Sequence, residues 1–328
     1  MVSSCPDLRS MSAPGSTLTG RFAVTLFVGE GFMPFLRTDH WRCAIVHAPL
    51  TEVIEAASLN GFPITTLPDI GDHRFLADPF GFWRDGKLHV FAEAFDYRSP
   101  KGTIEVLIYD GTGQMVRRET VLEEPWHLSY PFVFEHEGEV YMLPEANGSG
   151  RLSLYRAKSF PLDWERVEAF DFPEAAIDAT PFQYADRWWM FWTPAGDKDE
   201  RQSLLNISVA DTLMGPWKNL GLFLNDRAGA RPGGTPTIVE GKIFLPTQDC
   251  RGTYGHGIRL LEIEGLERGL PKVTPGLSIS IPVSLRKRYP DGMHTLSAAG
   301  QVTLIDVKKI GFGPKRDLLN LKHRIFGA

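Results

Sequence analysis

The chain has 328 residues, 43% hydrophobic and 23% charged, the composition of a soluble globular protein with room for one large all-β domain or two average ones. A formal net charge of -5 gives no global attraction to nucleic acid. The three cysteines, Cys5, Cys43 and Cys250, are odd in number and far apart, which excludes a disulfide framework and zinc-ligand spacing.

Residues 1–18 read as a disordered leader: they lack the apolar core of a signal peptide, and runs such as "FAVTLFV" at 22–28 are too short to span a membrane. A cytoplasmic protein is expected. Next comes "HWRCAIVHAPL", a strand, and then a set of internal repeats. Four segments align on a proline that opens a short apolar strand: "LADPFGFWRDGKLHVFAEA", "LSYPFVFEHEGEVYMLPEA", "DATPFQYADRWWMFWTPA" and "GGTPTIVEGKIFLPTQD", with Pro79, Pro131, Pro181 and Pro236. "GMHTLSAAGQVTLIDV" is a weaker fifth copy. Each reads as strand, two-residue turn, strand, with turns at Asp85-Gly86, Glu137-Gly138, Ala185-Asp186, Glu240-Gly241 and Ala299-Gly300. Further strands follow, for example "GTIEVLIYD", "GRLSLYRA", "SLLNISVAD" and "GIRLLEIE". The pattern predicts an all-β fold, a five-bladed β-propeller over residues 19–307, with "HWRCAIVHAPL" as the outer strand that closes the ring on the last blade. Residues 308–328 form a basic tail with a short amphipathic helix over Asp317 to Phe326. That tail would dock on an anionic membrane surface or a partner enzyme, or, more ordinarily, pack against the underside of the propeller.

Hairpin arithmetic then places the acids. With the first turn centred between residues 85 and 86, Asp78 falls opposite Glu93; the same rule pairs Tyr130 with Glu145, Asp178 with Thr193 and Gly233 with Gln248. Inner strands start at the hub of a propeller, so these residues, with Asp249, should ring one opening. Like charges facing each other across a hairpin cost up to ~1 kcal/mol, and a buried pair should leave one carboxyl titrating high, as a general acid requires. The plainer reading is that Asp-Pro is a common way to begin a strand and that Glu93 pairs with Arg98 or Lys101. Trp126 and Tyr130 flank the start of the second blade and are candidates for stacking on a sugar ring, whereas Trp83, Trp188, Trp189 and Trp192 fit inter-blade packing. Arg231, Arg251, His256 and Arg259 cluster with Gln248, Asp249 and Tyr254 in the fourth blade, where arginine forks would suit phosphate or carboxylate oxygens. Arg251 and Arg259 fit solvated blade edges better than the funnel. His294 begins the fifth hairpin and serves as a ligand contact, sits near a central ion, or is a hydrogen-bonded structural histidine, the last being the most ordinary. No cofactor or metal set is expected.

"FLADPF", "SYPFVF" with "LPEANGSGRLSLYRA", "IDATPF", "PTQDCRGTYGHGIRLLEI" and "MHTLSAAGQVTLIDV" together resemble the five-bladed propeller domain at the N-terminus of plant glucosamine inositolphosphorylceramide transferases, over residues 40–307. That domain is similar in architecture to the propeller glycosidases of glycoside hydrolase family 43. The resemblance implies carbohydrate chemistry or binding. In family 43 an Asp-Pro base, a second Asp and a Glu acid share the funnel. Asp78 matches the first, and Asp178 resembles the second with two residues intervening before its proline. The fourth blade begins "GGTPTIV" without the expected acid, so that role would pass to Glu145 or Glu93 on a returning strand. An inverting hydrolase would then use Asp78 as base and Glu145 as acid, ~6.5–9.5 Å apart, with Glu93 tuning. A sugar phosphorylase, a glycosyltransferase, or a non-catalytic glycan-binding or accessory module are the alternatives, the last because the plant relatives carry a separate transferase domain beyond the propeller.

Overall fold

The computed structural model describes residues 37–312, so the leader and the helix expected over Asp317 to Phe326 lie outside the described residues. Five antiparallel sheets follow one another along the chain and form a five-bladed β-propeller. Blade one is β3 (Arg74–Arg84), β4 (Lys87–Asp96), β5 (Lys101–Tyr109) and β6 (Met115–Leu122), and blade two is β7 (Ser129–His136), β8 (Glu139–Glu145), β9 (Tyr155–Ser159) and β10 (Asp163–Arg166). Blade three holds β11 (Ala176–Tyr184), β12 (Arg187–Pro194), β13 (Leu204–Ala210) and β14 (Lys218–Asn225). In blade four the inner strand is broken into β15 (Arg231–Pro232) and β16 (Thr237–Val239), both paired with β17 (Lys242–Asp249), then β18 (Gly257–Glu264) and β19 (Lys272–Ile279).

Blade five joins the two ends of the described chain. β20 (Leu296–Ala299) and β21 (Val302–Phe312) are followed outward by β1 (Arg37–Val46) and then β2 (Ile64–Thr66). The N-terminal strand thus closes the ring as the third strand of the blade, one place further in than the sequence suggested. β21 runs five residues past Val307, so Lys308 to Phe312 belong to the last strand.

The turns obey the local chemistry. Asp85-Gly86, Glu137-Gly138, Ala185-Asp186 and Glu240-Gly241 all have positive φ at both central residues, as the two-residue turn that matches strand twist requires. The fifth turn falls at Gly300-Gln301, one residue later than expected. Apolar side chains alternate into the gaps between blades: Phe91, Val106, Val133, Met142 and Trp164 share one such cluster, and Trp189, Phe191, Leu245 and Leu261 another. Trp188, Trp189 and Trp192 are buried there, as packing residues. The one expected packing tryptophan that stays partly outside, Trp83, is 39% exposed and donates from Nε1 to the Ala299 carbonyl at 2.8 Å.

Candidate functional site at the hub

In blades one to three the predicted pairing is correct from the turn inward until the hub, where it slips by one. Phe80 lies opposite Phe91, but Glu93 faces Ala77, so Asp78 and Pro79 together oppose a single residue. Blades two and three repeat this bulge: Glu145 faces Ser129 and Thr193 faces Ile177, which leaves Tyr130-Pro131 and Asp178-Ala179 as the extra pairs. In blade four Gln248 faces Arg231 instead of Gly233. A bulge re-aims a side chain and breaks the ladder. Asp78, Tyr130 and Asp178 all take positive φ, +49, +45 and +47°, unusual for non-glycine residues and held by their surroundings. The freed backbone N–H groups turn to neighbouring blades. Asp78 N–H donates to Asp306 Oδ2 at 3.0 Å, and Tyr130 N–H to Asp78 Oδ2 at 3.3 Å.

A cavity of about 340 Å³ opens at this hub, at the small end of the ~300–1,000 Å³ range of small-molecule sites. Every blade contributes to its wall. Blade one gives Asp78 and Glu93, blade two Glu145 and His127, blade three Ile177 and Arg201, blade four Arg231 and Tyr254, and blade five His294 and Trp41. Phe75, Phe95 and Tyr97 add an aromatic side.

The carboxylates are buried and held in different ways. Burial raises Asp78 to about 6; the His294 charge opposes that rise, while Asp306 and Asp178 add to it. Its Oδ1 accepts from Thr295 Oγ1 at 2.9 Å and lies 3.6 Å from His294 Nε2. Glu145 is raised to about 7 by burial and by the negative charge of Asp178, despite hydrogen bonds from Asn147 N–H at 2.8 Å and Ser129 Oγ at 3.0 Å. Glu93 is pushed well above the usual carboxylate range by burial, then by Asp78 and Glu145. It has neither of the expected ion pairs, because Arg98 is taken by Asp96 and Lys101 by Glu123. What faces Glu93 is His127 Nε2, at 3.6 Å. His127 accepts the Gly102 N–H on Nδ1 at 2.8 Å and so carries its neutral-form proton on Nε2; desolvation by the cavity wall holds it down at about 4 although its outer edge meets solvent.

Asp178 is a contrasting case. Its Oδ2 accepts from Arg231 Nε at 2.6 Å and from Gln248 Nε2 at 2.7 Å, a buried, ion-paired acid just behind the wall. Beneath Asp78, His294 Nδ1 contacts Asp306 Oδ2 at 2.6 Å, and Trp41 stacks on the His294 ring at 3.7 Å. Burial alone would lower His294, but Asp306 and Asp78 outweigh it and raise it; Asp306, which burial would raise, is lowered by the same pairing.

Of the residues singled out from sequence, Asp78, Glu93, Glu145, Arg231, Tyr254 and His294 line the cavity. Tyr130 does not stack on anything in the opening. It is fully buried, with its hydroxyl 2.9 Å from Thr180 Oγ1 and accepting the Gly234 N–H at 2.8 Å. Trp126 packs against the cluster between blades one and two, and Gln248 sits behind Asp178. Asp249 is tied to Arg251, whose side chain is 65% exposed, and Arg259 pairs with Asp226. Sequence reasoning missed Trp41, His127, Arg201 and Asp306. For Asp306 the signal was present: continuing the ladder past Leu296 opposite Ile305 sets Asp306 beside Thr295, the hub-end place on a returning strand that Glu93 and Glu145 occupy.

The glucosamine inositolphosphorylceramide transferase 1, N-terminal family matches residues 40–281. Glucosamine inositolphosphorylceramide transferase 1 of Oryza sativa subsp. indica is 38% identical over 257 residues, which cover 73% of this chain and 34% of that protein; the chain spans about a third of the length of the curated relatives it matches. Among solved structures, a Bacteroides ovatus protein assigned to the glycoside hydrolases aligns with TM-score 0.51 at 15% identity, over 71% of this chain and 86% of its own. A family 43 β-1,3-galactosidase aligns with TM-score 0.47 at 14% identity, over 65% and 78%. The fold is therefore shared with the first of these structures, and by sequence the chain belongs to the glucosamine inositolphosphorylceramide transferase 1 N-terminal family.

Proposed function

We propose that the hub cavity takes a glycan or glycoconjugate and acts on its glycosidic bond, with Glu145 as general acid and Asp78 as general base. One observation carries this reading: three buried carboxyls, Asp78, Glu93 and Glu145, open onto the same cavity without an Arg or Lys partner. Buried acids kept for structure are normally paired, as Asp178 is with Arg231 and Glu105 with Arg74 and Arg118. Glu145 has only a hydroxyl and a backbone N–H, and Asp78 has a hydroxyl, a backbone N–H and His294, which is already committed to Asp306.

The chemistry follows from the two titrations. Near neutral pH Asp78, at about 6, is mostly ionised and can accept a proton, while Glu145, raised to about 7, is still protonated in about half of the molecules and can give one. A water molecule against Asp78 would lose its proton to that carboxylate as its oxygen bonds the anomeric carbon. The glycosidic C–O bond breaks as Glu145 protonates the leaving oxygen. A sugar hydroxyl in place of the water would give transfer with the same proton movements. Glu93, kept protonated by its neighbours, would tune Asp78. Arg231 fixes Asp178 and lies over the Tyr254 ring at 5.1 Å, which makes it a wall and not a proton donor.

A second reading, a glycan-binding accessory module, is favoured by the match to the N-terminal portion of transferase relatives. A glycan array followed by turnover assays on the glycans retained, with and without phosphate, separates the two. Asp78→Asn and Glu145→Gln should each lower kcat by ~10²-fold or more with binding kept. Glycan binding with no turnover would establish the accessory role, and turnover indifferent to both substitutions would overturn the roles given to Asp78 and Glu145.

A further inference from the structure

Away from the hub, a second polar groove is built where blade five meets the segment before it. The short helix α1 (Val283–Arg286) leads into Lys287 and Arg288, and β21 brings Lys309 alongside. An outer groove of about 610 Å³ is walled by Ser284, Lys287, Arg288, Asp291 and Lys309. An inner one of about 220 Å³ shares Arg288 and Lys309 and ends at Asp69 and Tyr289. None of these residues lines the hub cavity.

The charges here are unbalanced. Most Lys and Arg side chains of the described propeller lie within ion-pair distance of a carboxylate, for example Arg84 with Glu135, Arg156 with Glu165 and Lys242 with Glu262. Lys287, Arg288 and Lys309 pair with no carboxylate among the described residues, although all three are exposed and share one concavity. The two acids nearby are occupied: Asp69 is ion-paired with Arg42, and Asp291 Oδ2 accepts the Ile310 N–H at 2.7 Å. Arg288 also lies over the Tyr289 ring at 5.5 Å, a contact that restricts its rotamers. A planar guanidinium fork, two ammonium groups and the Ser284 hydroxyl around one hollow suit a ligand with three strongly accepting oxygens better than a two-oxygen carboxylate.

We propose that this groove binds a phosphate ester group, at a site separate from the hub. The shared chemistry is a phosphate monoester, carried either by a soluble molecule or by a lipid headgroup. Two measurements on the full chain distinguish the sources: calorimetric titration with inorganic phosphate, and co-sedimentation with phosphatidylcholine vesicles doped with phosphatidic acid. Binding in the first assay assigns a soluble phosphate, and binding in the second alone assigns a headgroup. In either case Arg288→Glu, and the pair Lys287→Ala with Lys309→Ala, should weaken binding at least about tenfold, while Asp78→Asn leaves it unchanged. Absence of binding in both assays, or binding that survives Arg288→Glu, would overturn the proposal. Because the three cations are exposed, these variants should keep the fold, which the unchanged far-ultraviolet dichroism would verify.

Discussion

The two ends of each inner hairpin follow different rules. At the outer end three of the turns carry a glycine, Gly86, Gly138 and Gly241, as second residue, where the left-handed conformation carries no Cβ penalty, and pairing runs regularly away from them. At the hub end Asp78, Tyr130 and Asp178 take a similar φ without being glycine, and pairing breaks. A local preference explains the first. At two of the three bulges another blade supplies the partner of the turned-out group: Asp306 of blade five for the Asp78 N–H, Asp78 itself for the Tyr130 N–H. Regular structure is thus set within a hairpin, while the site is set between blades.

The sharpest way to break this comparison is to remove an inter-blade acceptor. Asp306 is fully buried and accepts from the backbone N–H groups of Asp78, His294 and Thr295 and pairs with His294 Nδ1. Asp306→Ala leaves those backbone donors and His294 Nδ1 unpaired, with only the Asp78 carboxylate still facing the imidazole at 3.6 Å, and should cost ~3–5 kcal/mol, measured as a shift in the urea midpoint at constant m. A loss under ~1 kcal/mol would mean the hub is ordered by something other than this carboxylate.

A smaller effect tests the electrostatics. The folded state raises Glu145 to about 7 from its ordinary 4.5, so between those pH values the native protein holds a proton the unfolded chain releases, and stability falls as pH rises through the window. Asp78 and His294, both raised, act in the same direction. Glu145→Gln should flatten part of that decline, leaving the variant relatively more stable at about pH 8 than at about pH 4 by on the order of 1–3 kcal/mol. Denaturation curves across that range read it directly, and parallel curves for the two proteins would show that Glu145 ionises normally.

How much of this was legible follows the same division. The blades, four of the five turns, and the convergence of Asp78, Glu93 and Glu145 on one cavity came from repeats and hairpin arithmetic, because each depends on residues close in the chain. The bulge did not, since nothing local in "LADPF" distinguishes a paired aspartate from a bulged one. Tyr130 looked like a sugar platform but serves as an internal strut, its hydroxyl bonded to Thr180 and Gly234 on two other blades. Trp41 joins the wall because ring closure pairs it with Lys308 at the other end of the described chain. Contacts of that sequence separation leave no short-range pattern.

The smallest expected effect lies at the outer end. A Cβ added at Gly86 meets nothing within 4 Å, so Gly86→Ala should cost only the left-handed backbone penalty at φ +70°, about 1 kcal/mol. At the hub the same exchange is a different experiment: a Cβ at Gly234 would sit 1.8 Å from the Leu296 carbonyl oxygen, forcing two blades apart. Gly86→Ala should therefore lower the urea midpoint slightly and leave the pH dependence of stability untouched, because no hub carboxyl depends on that turn. A changed pH slope in this variant would show that turn and hub are coupled along the strand, and the separation between the two ends would fail.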